Sequence, residues 1–313
     1  MMKKISLLIV LFVTSILSFG QQKYQFTQYM FDKLAFNPGF AGTKNAICVS
    51  GILRQQWVGF RDTEGNKVAP ETFNIAASSP LKFLHGGIGL ILNNEKIGFF
   101  NDVELALAYS YHYDLGGGTL GMGIQLNFLN KSLDFSKLKP IQENDPILTD
   151  KGDESDMIID FGFGAYYHVP GKYYIGLASV PITQPSAQGT AFKVKRSFNL
   201  MAGYEYTIPS HPQFEINPSI MIQSEGGTMQ YNISALLLYN KKFWGGVNYR
   251  LEDAIGIILG MTYKNFKIGY SYDVVISAIK QGGGGGTHEV MFGYCFSLEF
   301  DKGVRKYKNT RFL

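Results

Sequence analysis

The sequence lacks any apolar stretch, after residue 21, that could cross a bilayer as a helix. Each candidate run meets a glycine, polar or turn residue well before the roughly 20 residues that a spanning helix needs. Because backbone polar groups must be satisfied inside lipid, any membrane insertion of the remaining chain has to use strands. A helical membrane protein is therefore excluded, and a soluble β-protein and a β-barrel both stay open.

Cysteine is scarce and charge is nearly balanced. The 313 residues contain only Cys48 and Cys295, too few for a disulfide-stapled secreted scaffold of this size. The net charge of +4 falls to +2 if Lys3 and Lys4 leave with a signal peptide, which argues against nucleic-acid binding as the main role. The histidines and acids show no metal-ligand spacing, so we predict no metal and no cofactor.

The first 20 residues have the pattern of a signal peptide. Lys3 and Lys4 precede an apolar run, Ile5 to Phe19, that ends before Gly20. The run is about 15 residues long, shorter than a spanning helix. We therefore predict cleavage near Gly20 and export to the cell envelope, with no nucleic-acid partner.

Alternation of large apolar residues with small or polar ones dominates the rest. Ile255, Ile257, Leu259, Met261 and Tyr263 alternate with such residues, and the chain is rich in glycine (36), phenylalanine (24) and tyrosine (19). Period two indicates strands, and aromatic and glycine enrichment is typical of outer-membrane barrels. Fourteen strands are predicted: 47–58, 72–79, 87–93, 103–113, 120–130, 158–168, 173–180, 198–208, 214–223, 229–239, 243–251, 255–263, 266–276 and 289–298.

The predicted links sort by length. Links after even-numbered strands are mostly short, whereas the long segments 132–157, 181–197 and 277–287 follow odd-numbered strands. Outer-membrane barrels have short periplasmic turns and long outer loops, and a soluble sandwich has no reason to sort loops in this way. A soluble propeller, the other alternative, should show blade-length repeats, and none is seen. We predict an all-β, transmembrane antiparallel outer-membrane β-barrel over residues 46–300.

A short segment, residues 21–45, precedes the barrel. Phe26, Tyr29, Met30, Leu34 and Phe36 lie at roughly helical spacing. We expect a periplasmic cap or ordered lead-in, with a plug or a partner contact as the alternative.

Several motifs together resemble the PorP/SprF family of type IX secretion system membrane proteins. The resemblance implies an outer-membrane barrel of Bacteroidota that works with the secretion and gliding apparatus. It also implies two kinds of partner, a secreted adhesin-like surface protein and periplasmic components of the machine. The motifs are Gln25-Phe26-Thr27-Gln28-Tyr29-Met30-Phe31, Asn37-Pro38-Gly39, Ala41-Gly42-Thr43, Arg54-Gln55-Gln56-Trp57, Gly86-Gly87-Ile88-Gly89, His288-Glu289 and Lys306-Tyr307-Lys308-Asn309-Thr310-Arg311-Phe312.

From these motifs we predict two groups of partner-binding residues. The first lies near the start of the chain and comprises Tyr29, Asn37, Pro38, Arg54 and Trp57. The second lies in a basic tail, residues 301–313, which is either a disordered end or a docking peptide anchored by aromatic side chains and steered by basic ones. Its predicted binding residues are Lys306, Tyr307, Lys308, Asn309, Arg311 and Phe312.

The predicted lumen is polar, with charge pairs across it. Strand number alone does not show whether the lumen is filled with water or with protein. The parity of Cys48 and Cys295 places them on this face in neighbouring strands, and we expect two separate side chains rather than a disulfide. The predicted lumen-facing residues are Arg54, Gln56, Gln125, Asn127, Glu205, Asn248, Arg250, Lys267 and Asp273.

Barrel hydrolases need a base and a nucleophile clustered at the outer rim. The topology predicts His85 and His211 in periplasmic turns, His112 and His168 at periplasmic strand ends, and His288 alone at the outer rim. We therefore predict a non-enzymatic protein that helps to export or anchor a surface protein by binding it. The alternative is a transport barrel, either porin-like or for hydrophobic substrates.

Overall fold

The computed structural model describes residues 23–44, 46–135, 153–183, 194–277 and 284–297. Fourteen strands form one antiparallel sheet. The strand β8 is interrupted at Glu205, and both of its parts pair with β9. The strands are β1 Ala46–Gln55, β2 Glu71–Leu81, β3 Gly86–Ile97, β4 Phe100–Leu115, β5 Gly118–Asp134, β6 Asp153–Val169, β7 Tyr173–Ser179, β8 Ser197–Tyr204 with Tyr206–Thr207, β9 Phe214–Glu225, β10 Thr228–Tyr239, β11 Phe243–Arg250, β12 Ala254–Tyr263, β13 Phe266–Val275 and β14 Thr287–Ser297.

The sheet closes on itself. Each strand pairs with its sequence neighbours, and β14 returns to β1 in a register that runs from Ala46 opposite Ser297 to Gln55 opposite His288. Closure leaves no free strand edge, which is the requirement for a sheet in lipid. The predicted fourteen-stranded barrel is confirmed.

The alternation along the strands separates two faces. On β12, Ile255, Ile257 and Leu259 are 46%, 55% and 60% exposed, whereas Ile258 between them is fully buried. Successive side chains of a strand point to opposite faces, so the exposed apolar set forms the lipid-facing wall. Exposed aromatic residues flank the turns at one end of the barrel: Tyr113, Tyr173, Tyr239, Phe243, Tyr263 and Phe266.

Loop length also sorts as predicted. The links after even-numbered strands are short: 82–85, 116–117, 170–172, 208–213, 240–242 and 264–265. We call their end of the barrel the inner rim and the opposite end, which carries the long links 56–70, 135–152, 180–196 and 276–286, the outer rim. By the usual asymmetry of outer-membrane barrels the inner rim is periplasmic.

Several strand boundaries differ from the prediction, most clearly those of β1, β5 and β6. Trp57 has φ of 48°, which ends β1 at Gln55 rather than Val58, and Val58 instead bonds to the backbone of Gly285 and Gly286. At the outer rim β5 and β6 continue to Asp134 and from Asp153, well into the predicted loop 132–157. Within the described ranges, no helix is both long and apolar enough to span a bilayer.

Cys48 and Cys295 form a disulfide across the β1–β14 seam, with 4.1 Å between their α-carbons. They are direct register partners, so closure of the barrel alone brings them together. The expectation of two separate side chains is wrong. The predicted signal peptide and the basic tail lie outside the described residues.

Candidate functional site in the barrel lumen

Residues 23–44 run through the lumen, and we call them the plug. At the outer end of β9 the Lys23 N–H donates to Glu225 Oε2 at 2.5 Å. Near the inner rim the Gly42 N–H donates to Ser78 Oγ at 3.1 Å. The segment therefore crosses the barrel from its outer half to its inner rim, which agrees with the plug alternative rather than with the favoured cap or lead-in.

The plug is built from short turns rather than the α-helix that its spacing suggested. Phe26, Tyr29, Leu34 and Phe36 are nonetheless buried, as that spacing indicated, and form an apolar core inside the barrel. The turns are 3-10 segments at Tyr29–Phe31, Lys33–Ala35 and Pro38–Phe40.

A buried charge network fixes the first part of the plug. Arg54 of β1 contacts Glu289 of β14 at 2.8 Å and Asp273 of β13 at 2.9 Å. The same guanidinium donates to Thr27 Oγ1 of the plug at 3.0 Å. Arg250 of β11 donates to the same hydroxyl at 3.1 Å. We call Thr27, Arg54, Arg250, Asp273 and Glu289 the charged anchor.

Thr27 completes this network because it is donor and acceptor at once. Its hydroxyl donates to Asp273 at 2.7 Å while accepting from both arginines. Glu289 accepts the backbone N–H groups of Thr27 and Gln28 at 2.9 and 2.8 Å. Two arginines and two carboxylates thus balance in charge, and Arg250 also forms an ion pair with Asp253 at 2.9 Å. Removing one partner of such a buried network would leave an uncompensated charge.

A second polar contact holds the middle of the plug. The Asp32 carboxylate accepts from Ser50 Oγ of β1 at 3.0 Å and from Asn74 Nδ2 of β2 at 2.5 Å. All three groups are at least partly buried. Asp32 was not among the residues that the sequence singled out.

The last part of the plug lies against glycines of the wall. The Asn37 amide donates to the carbonyl oxygens of Ala165 and Leu177 at 3.0 and 3.3 Å. Its Oδ1 accepts the Gly39 N–H at 2.8 Å and so caps the turn at Pro38–Phe40.

Four wall glycines, the glycine track, make this contact possible. A Cβ on Gly123 would lie 2.3 Å from the carbonyl carbon of Pro38, and one on Gly164 would lie 2.3 Å from Asn37 Oδ1. No side chain fits at such distances. Gly121 and Gly123 therefore pack on plug backbone, whereas Gly164 and Gly176 pack on the Asn37 side chain. The track comprises Gly121 and Gly123 of β5, Gly164 of β6 and Gly176 of β7. Lumen-facing glycines on successive strands were a signal that the sequence reading missed.

Above the plug the lumen opens into a cavity of about 700 Å³, which we call the vestibule. Lys23 and Tyr24 belong to its floor, and its walls come from the outer parts of β3 to β6 and β9 with the link after β7. Carboxylates and apolar side chains alternate around it. The vestibule was not predicted from the sequence.

Four of the five predicted binding residues near the start of the chain are buried inside the barrel. Tyr29 is buried with its hydroxyl 3.0 Å from Ser219 Oγ. Asn37 and Pro38 lie on the glycine track, and Arg54 belongs to the charged anchor. Contact of these residues with a partner stays a prediction, as it does for Lys306, Tyr307, Lys308, Asn309, Arg311 and Phe312, which lie outside the described residues.

Trp57 lies at the outer rim. Its backbone N–H donates to Thr287 Oγ1 at 3.3 Å, and its indole ring contacts the Phe60 ring with centroids 6.3 Å apart. Further along this loop, hydrogen bonds from the Asn66 side chain and from backbone N–H groups hold the pKa of Asp62 below its usual range. The loop is thus locally ordered and half exposed.

The polar lumen is confirmed for most predicted members. Arg54, Gln125, Asn127, Asn248, Arg250 and Asp273 are all buried. Gln56 and Glu205 are half-buried, and the exposed Lys267 also faces the lumen, with its Nζ 5.9 Å from the ring centroid of Phe31 in the plug.

The histidines lie where the topology predicted. His112 Nε2 is 2.9 Å from the Ala41 carbonyl oxygen of the plug, and His288 Nδ1 is 2.7 Å from the Tyr270 hydroxyl. Among the residues that the structure describes, no three side chains of the metal-binding types cluster together.

Comparison with known proteins adds a family and a fold. The family model described as type IX secretion system membrane protein PorP/SprF matches residues 18–294. A search of curated proteins found no significant match. Among solved structures, the Ralstonia pickettii toluene transporter TbuX aligns with a TM-score of 0.52 and 12% identity over 84% of this chain and 93% of that one. The Acinetobacter baumannii outer membrane protein Omp33 aligns with a TM-score of 0.46 and 9% identity over 82% of this chain and 100% of that one. The likeness to TbuX concerns the fold alone.

Proposed function

The chain belongs to the PorP/SprF family of type IX secretion system membrane proteins, and from this premise we propose that it helps to export or anchor a cell-surface protein by binding it. In this proposal the barrel is non-enzymatic. Its partners are an adhesin-like secreted protein on the outer side and periplasmic components of the secretion machine on the inner side.

The plug is the observation that carries the proposal. A passive channel needs a continuous aqueous path, and in a barrel of this size that path would be the lumen. Here the plug backbone passes within van der Waals contact of the glycine track and closes the charged anchor. A barrel filled in this way is better suited to holding a partner than to conducting solutes.

The two rims offer surfaces for those partners. The long links 56–70, 135–152, 180–196 and 276–286 all belong to the outer rim, where the vestibule also opens. Trp57 lies on one of them. On the inner side the basic tail, with Tyr307 and Phe312, supplies the docking peptide in this proposal.

A hydrophobic-substrate transporter is the second candidate. The apolar side chains of the vestibule, such as Phe100, Leu129 and Leu133, favour it because they suit a small apolar ligand. Transport would then require the plug to move.

The test is a deletion strain with two readouts, the amount of type IX cargo displayed on the cell surface and the uptake of small solutes. We expect loss of display, unchanged uptake, and full rescue by the wild-type chain. Robust loss of uptake with normal display would overturn the binding role and favour transport.

Removal of residues 306–313 alone should leave a folded barrel but lower display, and unchanged display would contradict the docking role of the tail.

A further inference from the structure

The vestibule has an excess of negative charge. Among the described residues, six carboxylates but three lysines, Lys23, Lys131 and Lys195, line it. Lys23 contacts Glu104 at 3.4 Å, and Lys131 forms an ion pair with Asp102. The carboxylates are Glu95, Asp102, Glu104, Glu154, Asp160 and Glu225.

Two of these carboxylates face each other across a strand pair. Glu95 of β3 is the direct register partner of Asp102 of β4, and both side chains face the cavity. Like charges in opposed positions of a sheet are destabilising. Lys131, opposite Asp102 on β5, compensates one of the two. Glu95 forms no ion pair with any described residue.

A second row of the vestibule has buried polar atoms without partners. Asn127 of β5 and Asp160 of β6 are register partners, and each is only 3% exposed. Asn127 Nδ2 and Asp160 Oδ2 have no hydrogen-bond partner among the described residues. Buried polar groups are normally satisfied, so unpaired ones that line a cavity point to a ligand or water that completes them.

Most of the remaining lining is apolar. Ile97, Phe100, Leu129, Leu133 and Ile158 share the walls with the carboxylates. A metal ion would gain nothing from such surface, whereas a lysine or arginine side chain lays its methylene groups on apolar walls and keeps its charge with the acids. The volume of about 700 Å³ falls in the range of ligand sites and has room for a few residues of peptide.

We propose that the vestibule binds a short cationic, amphipathic peptide segment of the exported surface protein, with a lysine or arginine between Glu95 and Asp102 and apolar neighbours on the surrounding walls. The choice of occupant rests on the proposed function, since the exported protein is the partner expected on the outer side. The chemistry of the site does not depend on that function.

The test uses the purified full-length barrel in detergent and fluorescent six-residue peptides as probes. A peptide of alternating lysine and leucine is compared with one of glutamate and leucine and one of lysine and serine, and binding is followed by fluorescence anisotropy. We expect the lysine–leucine peptide to bind more tightly than both others, and to weaken with added salt. Equal binding of all three peptides would overturn the proposal.

The variant Glu95→Gln removes the ionisable carboxyl group without removing an ion pair to any described residue. It should weaken binding of the lysine–leucine peptide about three- to tenfold, the range of a partly screened charge pair. The matched control is Glu64→Gln, the same charge change on the exposed outer loop, which should leave affinity unchanged. An equal effect of the two variants, or none, would contradict a site in the vestibule.

Surface display in cells separates this inference from the proposed function. If deletion of the whole protein abolishes display while Glu95→Gln alters neither display nor peptide binding, the vestibule inference fails and the function stands. If Glu95→Gln weakens peptide binding but deletion leaves display intact, the site stands and the proposed function fails.

Discussion

The two halves of the lumen differ in how their charged groups are compensated. At the charged anchor the plug and wall interlock, and each arginine meets carboxylates and the Thr27 hydroxyl. In the vestibule, Glu95 faces Asp102 across a strand pair and forms no ion pair with any described residue. The first arrangement stabilises one structure, whereas the second suits a ligand that arrives later.

The change between halves occurs along single strands. On β5 the lumen-facing positions begin at the inner rim with Gly121 and Gly123 and become larger towards the outer rim. The small residues let the plug backbone approach the wall. Beyond the end of the plug, the larger residues line the cavity with their side chains. The later lumen-facing positions of β5 are Gln125, Asn127, Leu129, Lys131 and Leu133.

The largest effect on the filled part of the lumen should come from Arg54→Met. The change leaves Glu289 and Asp273 with an uncompensated buried charge, for which a loss of about 3–5 kcal/mol in the free energy of unfolding is expected. Denaturant unfolding of the purified barrel measures it. The control Lys67→Met breaks the exposed pair with Glu71 and should cost about 1 kcal/mol or less. Equal losses would show that the charged anchor does not hold the plug.

Removing the seam disulfide should have the next largest effect. The double variant Cys48→Ser, Cys295→Ser frees two strands that are 247 residues apart in sequence, and a typical loss is about 2–4 kcal/mol. Unfolding with and without reductant measures it, with the wild type sensitive to reductant and the double variant insensitive. A wild type that unfolds identically under both conditions would contradict the expected contribution.

Gly123→Ala should destabilise the protein by about 1–3 kcal/mol, because the new Cβ would overlap the Pro38 carbonyl carbon. The matched control is Gly293→Ala on β14, where the nearest atoms would lie at 3.6 and 3.8 Å, an ordinary contact. Unfolding of the two variants side by side gives the comparison. If both lose the same stability, close packing of the plug is not what requires glycine at position 123.

These residues also show which features of the structure could be predicted from the sequence. Alternation such as that of Ile255 to Tyr263 is local, so strands, their two faces and the sorting of loops were predictable. The choice of a plug over a cap was not, because the apolar spacing of this segment is local but its partners are distant. Asn37 bonds to carbonyl groups 128 and 140 residues away. No periodicity in residues 21–45 distinguishes a cap outside the barrel from a plug within it.

The disulfide could be predicted only in part. Strand order predicted that Cys48 and Cys295 are neighbours, but a bond also requires that they occupy directly opposed positions. Register at the seam depends on all fourteen strands together. The vestibule, likewise, follows from where the plug ends rather than from any motif.

The smallest effect on stability should come from the vestibule. Glu95→Gln removes one of two like charges in opposed positions, so the free energy of unfolding should stay the same or rise by about 0.5 kcal/mol. The same denaturant titration measures it at neutral pH. A loss above about 1 kcal/mol would mean that Glu95 is structural, as the charged anchor is, and would remove the contrast between the two halves.

In the proposed function the plug seals this barrel and the protein acts by binding. Conductance of the purified wild-type protein in planar bilayers measures this seal, with the plug-disrupting variant Gly123→Val reconstituted in parallel. We expect no steady conductance for the wild type and openings for the variant. A stable, open-channel conductance from the wild-type protein at low voltage would contradict it.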